Sequence, residues 1–290
     1  MKEFNISVDG YTFHGCEYGD NSLPSLVCLH GMTGDLNSFS GLIEYLIKDF
    51  HLILIDNPGH GETESLKLEE DYLFSSLAKR MYQVIQKITN KPFYMLGHSW
   101  GADLCLNLAK IFPAKISGVI LLDGGYAFPE HVDGLTEEKA LIDWKKYVES
   151  SIYGSWDEVV KEYQSYTTRQ WDSNLNSLIA SSFKKVEDNY IFKADVFSIS
   201  AIIKAFYKEP CSTTFDSIQC PVLLLHATIL PTDSARKKGV LEIKKGIKAL
   251  KVIGIEDTQH QLHWDYPDKV ANEILLWKQE NNHESRLFTN

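Results

Sequence analysis

The pentapeptide Gly97-His98-Ser99-Trp100-Gly101 constrains the fold of this chain more than any other segment. It follows Phe93-Tyr94-Met95-Leu96, a short apolar run of the kind that forms a buried strand. Behind it Ala102, Cys105, Leu106, Leu108, Ala109 and Phe112 recur at helical spacing, and Pro113 ends the run. A chain that passes from strand to helix through one serine must turn sharply, and only small flanking residues leave room for that turn. The hydroxyl is then held out at the carboxyl end of the strand. The helix start behind it supplies backbone N–H groups and the positive end of a dipole.

The same alternation runs along much of the chain. Leu26–Leu29, Leu52–Ile55, Phe93–Leu96, Val119–Leu122, Val222–Leu225 and Lys251–Ile255 read as buried strands. Helical spacing appears at Phe39–Ile47, Leu73–Ile88, Ala102–Phe112 and Lys269–Glu280. Phe4–Val8 and Tyr11–Cys16 flank Asp9-Gly10 and read as a hairpin. Strand and helix in alternation predict an α/β fold, with a mostly parallel sheet and helices on both faces. In such sheets ligands bind at the carboxyl ends of the strands. From Gly124 to Pro210 the rhythm breaks. Glu137–Ser150, Trp156–Tyr166 and Ser173–Lys185 read as helices, Ile191-Phe192 and Val196–Phe206 follow, and the segment is rich in Trp and Tyr. We therefore expect a core formed by residues 1–123 and 211–290, with a helical cap inserted at 124–210.

Bulk properties narrow the partners. With 290 residues, 44% of them hydrophobic, the chain can bury a large core. A net charge of −10 disfavours nucleic acid and anionic membranes. The five cysteines are odd in number and form no C-x-x-C, so buried free thiols are expected at Cys28 and Cys105. The first residues carry no apolar leader, and no run approaches the length of a membrane span. These features point to a cytoplasmic protein.

Three further segments follow strands. His30-Gly31-Met32-Thr33-Gly34 can turn its backbone inward, so the N–H of Met32 pairs with that of Trp100 as an oxyanion hole. Asp56-Asn57-Pro58-Gly59-His60-Gly61 reads as a turn whose Asp caps local N–H groups. His260 and His263 lie after the last strand, where a histidine can reach over the sheet edge toward Ser99. A metal site at this H-x-x-H lacks a third ligand, and no cofactor is called for. His98 and His226 read as packed and hydrogen-bonded.

HGMTG, DNPGHGET, GHSWGAD and QHQLHWDYP, in this order and each after a strand, resemble the α/β-hydrolase superfamily in its capped, esterase-like branch. The resemblance covers nearly the whole chain outside the cap. It implies that His260 is the base and that His263 is a supporting histidine near the substrate pocket. It leaves the acid open. The superfamily's common position, after the penultimate strand, holds Ile229 and Leu230 here, with Asp233 the nearest carboxylate. Asp123, at the end of Val119–Leu122, is the other candidate, and we place it ahead of Asp233.

Trp144, Tyr147, Trp156, Tyr163, Trp171 and Phe183 are candidates to line a pocket or to pack the cap; of these, Trp144, Trp156 and Trp171 are assigned to the pocket. Glu158 and Glu162 read as a solvated helix face. The expected activity is hydrolysis of small or medium carboxylic esters through an acyl-enzyme on Ser99. A small-molecule sensor or signalling protein with a slow triad, and a C–C bond hydrolase, are the alternatives.

Overall fold

A strand whose residues are buried without a break needs cover on both faces, and several runs of this chain are of that kind. In the computed structural model, which describes residues 1–229 and 233–287 and all their side chains except those of 233 and 282–287, these runs lie side by side. In chain order the core begins with β1 (Lys2–Val8), β2 (Tyr11–Tyr18), β3 (Ser25–Leu29), α1 (Ser40–Leu46) and β4 (His51–Ile55). It continues through α2 (Phe74–Gln86), β5 (Phe93–His98), α3 (Trp100–Ile111) and β6 (Ile116–Leu122). The cap follows, with α4 (Glu137–Ser150), β7 (Ile152–Tyr153), α5 (Trp156–Tyr163), α6 (Ser173–Ala180), β8 (Phe183–Val186), β9 (Asn189–Phe192) and α7 (Val196–Lys208). The chain returns through β10 (Val222–Ala227), α8 (Asp233–Gly246), β11 (Leu250–Ile255), α9 (Leu262–Asp265) and α10 (Pro267–Leu287).

The main sheet has eight strands in the order β1-β2-β4-β3-β5-β6-β10-β11. β1 and β2 form the antiparallel edge, β2 meets β4 antiparallel, and every pairing beyond β4 is parallel. Alternate residues divide between two cores, as a period of two requires. Val27, Leu29, Met95, Val119 and Leu121 pack against α2 and α3. Leu26, Cys28, Leu96, Ile120 and Leu122 pack against Leu42 and Leu46 of α1 and Val270, Ile274 and Trp277 of α10. Helices thus cover both faces. All five cysteines are buried free thiols.

The insertion departs from the all-helical expectation. It carries a three-stranded antiparallel sheet, β7-β9-β8. The helix predicted to reach Lys185 stops at Ala180, because Phe183 is drawn into a cross-strand pair with Phe192, their rings stacked at 4.8 Å. Glu187 takes a positive φ of 54°, which lets the chain reverse between Val186 and Asn189. The cap has its own apolar cluster, built on Val159, Tyr163, Leu175, Ile179 and Phe192. α7 packs instead on the sheet side, where Ala201, Ile202 and Phe206 join the main core and Phe206 meets Phe74 edge-on at 5.0 Å.

Asp56 holds the loops above β4. Buried, it accepts hydrogen bonds from Leu36 N (2.8 Å), Glu62 N (3.0 Å) and His14 Nδ1 (2.7 Å). Burial acts to raise its pKa, but the bond from His14, the nearby His30 charge and the two backbone donors hold it below the usual carboxylate range. The bond to Asp56 raises His14 in turn. Asp56→Ala leaves buried donors without an acceptor and should cost about 3 kcal/mol in urea unfolding. Because Asp56 is depressed in the folded state, the wild-type advantage should persist above about pH 4 and shrink as pH falls further. Because His14 is raised, its share should be complete below about pH 6.5 and fade as pH rises beyond that.

Candidate active site

Ser99 occupies the turn between β5 and α3 with φ 51° and ψ −123°, a conformation that L-residues adopt only when surroundings hold them there. The surroundings are tight. A Cβ on Gly101 would lie 2.0 Å from the Leu29 carbonyl oxygen, and one on Gly124 would lie 2.1 Å from the Ser99 carbonyl oxygen. Ser99 N–H donates to Leu122 O at 3.0 Å, which pins the turn to the end of β6. Ser99 stands at the N-cap of α3, yet its side chain makes no capping bond. Its hydroxyl faces a cavity of about 640 Å³ between the sheet edge and the cap.

His260 lies on the wall of the same cavity, in the loop between β11 and α9. Its Nδ1 is 2.6 Å from Asp123 Oδ2. An ionised carboxylate only accepts, so Nδ1 carries the proton and Nε2 is left with a lone pair. No hydrogen bond joins Ser99 to His260 among the described residues. Asp123 directly follows β6 at φ 43° and is fully buried at its carboxylate. It also accepts from the Tyr126 hydroxyl (2.9 Å), Ala227 N (3.2 Å), Arg236 Nε (3.1 Å) and Arg236 Nη2 (2.5 Å). Burial acts to raise its pKa, but the bonds and charges of His260 and Arg236 outweigh it and hold the carboxylate far below its usual range. The rival, Asp233, begins α8, and its side chain lies outside the described residues.

The turn after β3 closes with Gly34 N on Gly31 O at 3.3 Å, and Met32 lines the cavity. Trp100 is the first residue of α3, where N–H groups have no acceptor within the helix. Its indole is buried in the core, and Trp100 is not among the described residues that line the cavity.

Beneath His260 the histidines form a column. The His98 ring lies 4.8 Å from His260 and 4.6 Å from His263, and its Nε2 donates to the His260 carbonyl at 3.1 Å. Burial, then the charges of its two neighbours, pushes His98 well below its ordinary value. Burial pushes His263 down to about 3. His263 does not line the cavity. Its Nε2 meets Ser38 Oγ at 2.9 Å in the interior, so its assignment to the pocket is corrected. His226 bonds its Nδ1 to Ala227 O, as a packed residue would.

The aromatic assignments divide. Trp144 lines the cavity, with Tyr147 and Tyr163. Trp156 does not: it packs on Tyr190 (5.4 Å) and Phe183 (6.1 Å), and its Nε1 donates to Asn176 at 2.7 Å. Trp171 packs against the cap's apolar cluster and likewise lies outside the cavity lining. Both are needed to close the small cap core, which is why they turn away.

Sequence reasoning missed Arg236 and Asp265. Arg236 comes from α8, more than a hundred residues from the carboxylate it clamps, and no spacing signals that. Asp265 accepts from Gln259 N (3.1 Å) beside His260, and from Thr167 Oγ1 (2.6 Å) and Thr168 N (2.8 Å) in the cap. It fastens the His260 loop to the cap. Tyr166 and Trp264 also reach the cavity unforeseen.

Comparison with known proteins gives a consistent picture. The sequence pattern described as alpha/beta hydrolase fold matches residues 24–267. A serine hydrolase-like protein of Danio rerio is 23% identical, over 94% of this chain and 86% of its own length. An (E)-2-((N-methylformamido)methylene)succinate hydrolase of Acinetobacter baylyi is also 23% identical, over 92% of this chain and 94% of its own. Among solved structures, a thioesterase domain from the curacin biosynthetic pathway superposes with a TM-score of 0.75 at 20% identity, covering 95% of this chain and 99% of that one.

The Asp265 contacts can be tested without any substrate. Asp265→Ala removes the acceptor of two loop amides, so hydrogen exchange at Gln259 and Thr168 should quicken about tenfold, while the amides of β5 keep their protection. Unchanged exchange at both amides would mean that Asp265 does not hold the loop.

Proposed function

From the premise that this chain belongs to the alpha/beta hydrolase fold family, we propose that it is a serine hydrolase cleaving small or medium carboxylic esters. The observation that carries this reading is the 2.6 Å contact between His260 Nδ1 and Asp123 Oδ2 on the wall of the cavity that Ser99 faces. Ser99 Oγ attacks the ester carbonyl carbon as His260 Nε2 accepts its proton. Substrate binding brings the two side chains into hydrogen-bond contact, which is often loose in an empty site. Asp123 keeps the proton on Nδ1 and stabilises the imidazolium that forms. The N–H groups of Met32 and Trp100 receive the oxyanion, one such donor contributing about 3 kcal/mol. The imidazolium returns its proton to the leaving alcohol, and water then attacks the acyl-enzyme with His260 again as base.

The acid in this reading is Asp123, not Asp233. A buried carboxylate held by five donors has one orientation, and orienting the imidazole requires that. Arg236 shares the carboxylate with His260 and therefore competes for its negative charge.

Ser99→Ala and His260→Ala should each lower kcat for a short-chain ester at least a thousandfold and abolish labelling by a fluorophosphonate probe, with folding intact by circular dichroism. Steady turnover by the wild type over many cycles separates an enzyme from a sensor that reacts once. Asp123→Asn should lower kcat by about four orders of magnitude, and Asp233→Asn by less than tenfold. The opposite ranking would move the acid to Asp233.

The donors around Asp123 hold it ionised throughout a practical assay range. Arg236→Met removes two of its five donors and leaves those of His260, Tyr126 and Ala227. The looser carboxylate should lower kcat about tenfold with KM little changed. An unchanged kcat would show that Arg236 does not position the carboxylate for the imidazole.

A further inference from the structure

The cavity wall combines electron-rich faces with negative charge. Trp144 and Tyr147 meet at 90° with ring centres 5.7 Å apart, and Tyr163 and Tyr166 meet at 89° and 5.4 Å. Two such edge-to-face pairs on one cavity present ring faces in crossed directions, a corner that can surround a compact group. Asp143 stands at the cavity rim, exposed and one residue before Trp144. Glu162 lies behind the wall, half-buried, and accepts the Tyr166 hydroxyl at 2.6 Å. Its charge also bears on Tyr147, a phenol that burial already pushes up to about 12. The tyrosines thus stay neutral while carboxylates stand before and behind them.

No lysine or arginine lines this cavity among the described residues. The histidines supply no substitute, because His98 is held neutral by burial and His260 faces Ser99. A carboxylate or phosphate on the substrate would meet Asp143 and ring faces with no counter-charge. The succinate for which the Acinetobacter baylyi relative is named is such a group. A cation meets the reverse: ring quadrupoles attract it and Asp143 neutralises it.

We propose that the ester cleaved at Ser99 carries a cationic group, a quaternary or protonated amine, which the corner formed by Trp144, Tyr147, Tyr163 and Tyr166 receives together with Asp143. This deepens the serine-hydrolase reading and rests on it. It names the substrate class that the cap selects: small amine-bearing esters, rather than acyl chains with anionic ends. A permanently charged trimethylammonium group is the sharpest probe, since it cannot hydrogen-bond or lose its charge.

The test uses three acetate esters matched in shape: one of a trimethylammonium-ethyl alcohol, its neutral 3,3-dimethylbutyl isostere, and one ending in a carboxylate. In wild type, kcat/KM for the cationic ester should exceed that for the neutral isostere about tenfold, with the carboxylate ester the poorest. Asp143→Asn and Trp144→Leu should each pull the cation-to-neutral ratio toward one. Equal rates for the cationic and neutral esters, or a preference for the carboxylate, would overturn the proposal while leaving the hydrolase reading in place.

A second measurement keeps the two readings apart. Ser99→Ala should bind the trimethylammonium alcohol by calorimetry more tightly than the neutral alcohol, and Asp143→Asn in the same background should weaken that preference. If none of the three esters is hydrolysed, the hydrolase reading fails, and the binding ratio still decides whether the corner takes a cation. Equal binding of the two alcohols would reject it.

Discussion

Asp123 is an ionised carboxylate in the interior, and a lone charge there would cost several kcal/mol. It is stable because donors converge on it from four separate stretches: Tyr126 at the start of the insertion, Ala227 at the end of β10, Arg236 on α8 and His260 in the loop after β11. The demand for donors therefore organises the neighbourhood. It closes the insertion's root onto the sheet, docks α8 against two strand ends and holds His260 at the cavity wall. The same segments also meet directly, through the pairing of β10 with β6 and β11 and the close approach of Gly239 of α8 to the Tyr126 carbonyl.

A second constraint acts at the backbone. Ser99 keeps its positive φ only because β3, β6 and α3 crowd it, and the crowding is possible only with hydrogen atoms at Gly101 and Gly124. The strain of order 1–3 kcal/mol is borne by a sheet whose strands are buried on both faces. The histidine column continues the same theme. His98 and His263 stay neutral because they are buried beside one another and beside His260, so they support the His260 ring sterically without adding charge to it. That leaves Asp123 and Arg236 as the charged groups that act on the imidazole.

The cap is coupled to this edge rather than resting on it. Asp265 bonds both the loop carrying His260 and the cap segment Thr167-Thr168, and α7 shares the main core with α2 and α3. A change in cap packing is therefore felt in the loop that carries His260. The same cap supplies Trp144, Tyr147, Tyr163, Tyr166 and Asp143 to the cavity wall, so the cavity lining and the His260 loop are tied to one packing unit.

What the sequence determined by itself follows from local physics. Uninterrupted apolar runs alternating with helical spacing specified the parallel sheet, and small residues around Ser99 specified its turn, because periodicity and steric room are properties of neighbours in the chain. The buried state of Cys28 and Cys105 and the bond of Asp56 to Glu62 N in its own turn were legible for the same reason, whereas its bonds to Leu36 and His14 were not. The tertiary structure alone decided matters that depend on which distant atoms meet. Asp123 meets His260 because the end of β6 lies one strand away from the end of β11, across β10. Arg236 reaches it because α8 packs over their ends. The cap strands were hidden because Phe183 and Phe192 pair across a turn that lacks the usual Asn-Gly signal. Trp144 faces the cavity while Trp156 and Trp171 turn into the cap core, since three chemically alike side chains are separated only by the packing around them.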